Sequence, residues 1–109
     1  MILLPDHRRL DAANWVTRGI LDDLATRSDL PAAIAQEIRW CLDAQFYRLD
    51  LRLAPAEDLA ALVGPLDEII AATEKAGPAS FQLPEFFPAY LAKLRELRAL
   101  LRVDPPQGA

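Results

Sequence analysis

Residues 47–53 read Tyr47-Arg48-Leu49-Asp50-Leu51-Arg52-Leu53, an alternation of apolar and polar side chains whose reading decides the fold. Alternation at period two marks a half-buried strand. This stretch is short, follows a strong helical pattern and has no obvious strand partner elsewhere in the chain. It is therefore read as the end of a helix or an extended lead-out towards Pro55, which makes the chain all-α.

Upstream, Ser28-Asp29-Leu30-Pro31 reads as a stop and restart. Ser28 or Asp29 is placed to cap a second helix, and Pro31 suits a first turn, where its missing N–H has no partner. That helix carries Ile34, Ile38, Cys41, Leu42 and Leu49 on one face. A first helix is expected from Asp6, as a capping carboxylate, to about Arg27, with a stripe of Leu10, Ala13, Val16, Ile20, Leu21 and Leu24.

Downstream, Pro55-Ala56-Glu57-Asp58 is a good helix start, with acidic residues near the positive end of the dipole. Leu59, Leu62, Val63, Leu66, Ile69 and Ile70 form the cleanest stripe in the chain. Gly64-Pro65 interrupts it, and a proline there predicts a kink or a break into two helices. Gly77-Pro78 closes the segment. Residues 79–87 make the longest connection. Pro84 and Pro88 lie four apart and cannot share one straight helix, so the last helix is expected from near Pro88 to near Arg102. Tyr90, Leu91, Leu94, Leu97 and Leu101 are its stripe, with Phe86 and Phe87 plugging one end. The expected architecture is an all-α four-helix bundle with mostly antiparallel neighbours. Residues 1–103 would form one domain, and residues 104–109, with two prolines and a glycine, a frayed tail.

The 109 residues suffice for one core, and 52% hydrophobic against 26% charged residues argues against disorder. A net charge of -4 disfavours general affinity for nucleic acid or anionic membranes. The opening Met1-Ile2-Leu3-Leu4 is too short for a signal-peptide core, and no apolar run approaches the roughly 20 residues needed to span a bilayer. Cytoplasmic location is the resulting expectation.

Catalytic and metal chemistry find little support. His7 is the single histidine, beside Arg8 and Arg9, and reads as a surface residue. Cys41 falls inside the aliphatic stripe and reads as a small core hydrophobe. Asp22-Asp23, Glu57-Asp58 and Asp67-Glu68 are adjacent pairs, and consecutive helical residues diverge by about 100°, so neither member converges with its neighbour on one ion. No cofactor or metal site is expected. Arg95, Arg98 and Arg102 share a flank of the last helix and form a candidate anion contact, although cations near a helix C-terminus also need no ligand to explain them.

The two tryptophans carry the functional expectation. Trp15 points roughly 170° from its helix's apolar stripe. Trp40, Tyr47 and Leu51 cluster opposite Ile34, Ile38 and Leu42, with the small Ala33 and Ala44 beside them. Either the second helix is covered on two sides within the chain, or Trp15, Trp40, Tyr47, Leu51 and Ala44 form a contact surface, with Arg39 and Arg18 as rim charges. A bundle helix normally needs one buried face, which favours the surface. The chain is thus expected to be a non-catalytic acidic helical protein that binds a protein partner, itself in a homodimer or another in a regulatory, adaptor or immunity-type role. The alternative is a ligand-binding or enzymatic bundle, with a pocket near Gly64-Pro65 and Phe86-Phe87 and Tyr90 as a polar handle.

Overall fold

In the computed structural model, which describes residues 1–101, the chain turns extended soon after Ala44 and the alternating stretch becomes a strand. The elements in order are β1 (Ile2–Leu3), β2 (Arg9–Leu10), α1 (Asn14–Ala25), α2 (Ala32–Ala44), β3 (Leu49–Asp50), α3 (Ala56–Ala60), α4 (Val63–Ala76), a 3₁₀ turn (Pro78–Ser80) and α5 (Phe86–Leu100). The protein is mostly helical, with a small three-stranded sheet in the order β2-β1-β3. The all-α expectation is corrected by that sheet.

The missing strand partner is the N-terminus. β1 pairs antiparallel with β2 and parallel with β3, setting Ile2 opposite Leu49 and Leu3 opposite Asp50. The Leu49 N–H donates to the Met1 carbonyl at 2.9 Å, and the Leu51 N–H to the Leu3 carbonyl at 2.8 Å. Ile2, Leu3, Leu4, Leu10, Leu49 and Leu51 are buried, so this small sheet is part of the core. The period-two pattern was a true strand signal over residues 49–51. Its partner lies more than forty residues away, where no local pattern reveals it.

Three helix boundaries shift accordingly. Asp6 caps nothing: Asp6 and His7 both have φ of 62°, a left-handed turn that reverses the chain between β1 and β2. Leu10 therefore belongs to a strand, and α1 starts at Asn14. Neither Ser28 nor Asp29 caps α2; extended Pro31 leads into it, and the Pro31 carbonyl accepts the Ala35 N–H at 2.9 Å. At the far end Gln45 turns left-handed (φ 54°), and the Phe46 N–H reaches back to the Cys41 carbonyl at 2.9 Å. That closing bond, six residues back to one, ends the helix at Ala44 and takes Leu49 out of it.

The break near Gly64-Pro65 falls at Ala61-Leu62, one turn earlier than the proline itself. Pro65 has no N–H to give the Ala61 carbonyl, so the chain stops at Ala60 and restarts at Val63. Pro88 similarly occupies the first turn of α5, with Pro84 outside it. α1 packs on α2, α4 on α5, and α1 also touches α4 and α5. Val16, Ile20, Leu21, Leu24, Ile34, Ile38, Leu59, Leu62, Leu66, Ile69, Leu94 and Leu97 fill the space between them, as their spacing predicts. Arg8, in the hairpin, donates to the Leu100 carbonyl and so ties the sheet to the negative end of α5. The expected tail at 104–109 lies outside the described residues. No helix among the described residues is long and apolar enough to cross a membrane.

The strand assignment makes Leu51 a core residue and leaves Leu53 97% exposed. Leu51→Ala should lower the unfolding free energy by about 2–5 kcal/mol in urea titrations, the usual cost of a large-to-small core change. Leu53→Ala should stay within about 0.5 kcal/mol of wild type. Equal effects at the two positions would contradict this register.

Candidate functional site

The two tryptophans do not share a surface. Trp15, 41% exposed, stacks on Phe86 with ring centroids 4.7 Å apart and lies 6.5 Å from the Tyr90 ring. It therefore belongs to the seam between α1 and α5. Trp40 is 55% exposed and meets Phe46 edge to face at 5.7 Å. Leu51 leaves the expected patch altogether: it is 3% exposed, because strand alternation turns it inward. Tyr47 is half-buried, and its carbonyl accepts a hydrogen bond from the Met1 nitrogen at 2.9 Å. Ala44 and Arg39 are exposed.

What remains on α2 is a narrower and more acidic face. At helical spacing Ala33, Glu37, Trp40 and Ala44 line up on one side, with Gln36 and Asp43 flanking them. Phe46 joins them only because the left-handed Gln45 swings the chain back over the helix end. Ala33 and Glu37 also line a groove of about 370 Å³ whose other wall carries Leu53, Pro55 and Asp58. Asp50 lines this groove too, but Arg52 grips both its oxygens, at 2.9 and 2.8 Å, and holds its carboxyl down to about 2. Glu37, Asp43 and Asp58 have no ion-pair partner among the described residues.

Arg95 and Arg98, the candidate anion contact, are engaged by α4. Arg95 donates to Glu74 and Arg98 to Asp67, each at 2.8 Å. Their charges join the two helices and are already met by carboxylates. Arg102 lies outside the described residues.

A second concavity, of about 350 Å³, opens between α1, the second half of α4 and the 3₁₀ turn. It lies away from Gly64-Pro65, and neither Phe86 nor Phe87 lines it. Tyr90 is on its lining. The Tyr90 hydroxyl donates to Asp23 Oδ2 at 2.5 Å, in the range of a charge-assisted bond. Burial, then the Asp23 hydrogen bond, pushes the Tyr90 phenol well above its ordinary value. Burial likewise raises the Asp23 carboxyl, against the lowering effect of the Tyr90 bond. Phe81 packs on Tyr90 at 5.5 Å, so a row of rings runs from Trp15 through Tyr90 to Phe81.

Asp23, Phe46 and Phe81 were not distinguishable in the sequence as site residues. Asp23 looks like half of a solvated acidic pair, and Phe46 and Phe81 sit in irregular segments where periodicity says nothing. Cys41 is buried, with burial pushing its thiol up. Among the described residues no group of three or more His, Cys, Asp or Glu side chains is placed to hold a metal ion. No family model matches the chain, and neither a curated protein nor a solved structure shows significant similarity to it.

Two outcomes follow from the Tyr90 environment. A Cβ on Gly19 would lie 2.8 Å from Tyr90 Cε1, whereas one on Gly64 would meet open space. Gly19→Ala should therefore lose about 1–3 kcal/mol to overpacking, set against a helix-propensity gain of about 1 kcal/mol, and come out no more stable than wild type. Gly64→Ala should keep its smaller gain; denaturant melts of both variants decide it. Tyr90 also sets an alkaline limit. Its folded pKa lies above the ordinary 10.0, so the folded state holds a proton that the unfolded chain releases. Its contribution is present in full below that value and declines as pH rises above it. Tyr90→Phe should flatten the fall of stability with pH in the alkaline range, and an unchanged slope would reject the assignment.

Proposed function

We propose that this chain is a non-catalytic, cytoplasmic protein that works by protein–protein association, presenting the outward face of α2 to a basic, amphipathic segment of another protein. In this reading α1, α2, α4 and α5 act as a four-helix bundle with mostly antiparallel neighbours, and the sheet braces one end. The observation that carries it is the Trp40–Phe46 pair: two large rings in edge contact, both about half exposed, on a helix whose opposite face is core. Aromatic side chains held at a rigid helix end lose little entropy when buried and serve as binding anchors.

Charge selects the partner. Glu37 and Asp43 lie one helical turn to either side of Trp40, Glu37 and Asp58 line the adjoining groove, and the whole chain carries a net charge of -4. Two copies meeting face to face through α2 would bring Glu37 and Asp43 against their own counterparts. Like charges across an interface oppose association, whereas a basic segment would be steered in. Homodimerisation through this face is thus disfavoured against a basic partner, with Trp40 and Phe46 as anchors and Leu53 as a further apolar contact.

A photoreactive residue at position 44, introduced in the native cell, tests the reading. A cross-linked partner is expected whose contacted segment is rich in lysine or arginine, and the link should vanish in Trp40→Asp. Affinity for that segment, measured in isolation, should drop at least about tenfold in Trp40→Asp and fall further with added salt. The substitution should cost less than about 1 kcal/mol of stability, since the ring is half exposed. An undiminished cross-link in Trp40→Asp, or a self-linked dimer that survives dilution in sedimentation runs, would reject the proposal.

A further inference from the structure

The cavity between α1, α4 and the 3₁₀ turn has an unusual polar lining, because nearly everything in it accepts hydrogen bonds and almost nothing donates. Thr26 Oγ1 donates to the Asp23 carbonyl at 2.7 Å, Thr73 Oγ1 to the Ile69 carbonyl at 2.8 Å and Ser80 Oγ to the Gly77 carbonyl at 2.7 Å. A carbonyl oxygen can only accept, so each hydroxyl has spent its one proton on its own backbone. What these hydroxyls still offer the cavity is lone pairs. The Tyr90 hydroxyl has likewise given its proton to Asp23 Oδ2, which leaves Asp23 Oδ1 without a protein donor among the described residues. Arg27 is the one cation on the lining, and it is turned to Glu68 and Asp29.

Two aromatic rings complete the wall. Phe81 and Tyr90, 5.5 Å apart and tilted, both line the space, and ring faces attract cations. With Glu68 engaged by Arg27, the lining that remains, the Asp23 carboxylate, the lone pairs of three hydroxyls and two rings, is the complement of a group that carries positive charge and several N–H donors. The one cation an anion would meet there, Arg27, already faces the carboxylates of Glu68 and Asp29. A bare divalent metal is a poor match as well, since the described residues offer no cluster of three ligating side chains.

We infer that this cavity is a binding site for a small organic ammonium ion, held by Asp23, Thr73 and the rings of Phe81 and Tyr90. The site is separate from the α2 face and does not depend on it. An ammonium can come from a free amine or from a lysine side chain, and the two are separable by probe.

Titration calorimetry on the full chain tests the inference with phenethylammonium as the free-amine probe and a terminally blocked lysine as the side-chain probe. Binding of one or both is expected at millimolar concentration, the tighter one marking the source. N-acetylated phenethylamine, which keeps the ring and loses the charge, should bind at least about tenfold more weakly. Asp23→Asn should weaken phenethylammonium by a similar factor. Thr73→Val, which leaves the Asp23–Tyr90 bond in place, should weaken it about threefold and serves as the second variant if Asp23→Asn does not fold. Trp15 is the sole tryptophan in a Trp40→Phe background and stacks on Tyr90, so its fluorescence provides an independent readout. Silence with both amines, equal binding of the acetylated analogue, or undiminished binding in both variants would overturn the assignment.

Discussion

The pairing of the N-terminal strand with residues 49–51 is the constraint on which the rest of this molecule depends. β1 lies between β2 and β3, and through them Ile2, Leu4, Leu10, Leu49 and Leu51 enter one core with the helices. A two-residue strand pair has little stability of its own. It persists here because every apolar side chain on it is buried against helices, and because burial forbids its backbone groups to go unpaired. Once Leu49 must lie opposite Ile2, α2 has to end early, and the left-handed Gln45 becomes necessary. That forced ending brings Phe46 up against Trp40.

The aromatic residues thus divide into two sets with different physical roles. Trp15, Phe86, Tyr90, Phe81 and Phe87 form a continuous chain of ring contacts where α1 meets the start of α5. Gly19 is what lets the Tyr90 ring approach α1 so closely. The close approach in turn delivers the Tyr90 hydroxyl to Asp23 and shapes the acceptor-lined cavity. Trp40 and Phe46 lie apart from that row and touch each other, each remaining about half exposed, with Glu37 and Asp43 one helical turn from Trp40. A single chain therefore presents a concave acidic-aromatic feature on one side of α1 and a convex one on α2.

The helical stripes were legible in the sequence and nearly all of them are core. Val16, Ile20, Ile34, Ile38, Leu66, Leu94 and Leu97 repeat at the helical period because each helix buries one face, and that periodicity is a local property. Proline positions were equally informative, since a missing N–H acts on the turn just before it; hence Pro65 breaks the chain at Ala61-Leu62. Structure and local pattern part where the deciding partner is remote. Leu51 reads as a surface residue from its helical spacing, because the bond from its N–H to the Leu3 carbonyl is invisible in a window around residue 51. Asp6 reads locally as a cap, whereas the strand it follows forces a left-handed reversal there.

Local spacing, charge and proline placement by themselves determined that this is a largely helical protein with one core and an acidic surface, because those features act within a few residues. Only the tertiary structure decided which apolar residues face outward and which polar groups still have hydrogen bonds to give. Those two properties depend on what packs opposite each side chain, and hence on contacts between residues distant in the chain. Leu51 went inside, Phe46 came out, and Asp23 acquired Tyr90, all through such contacts.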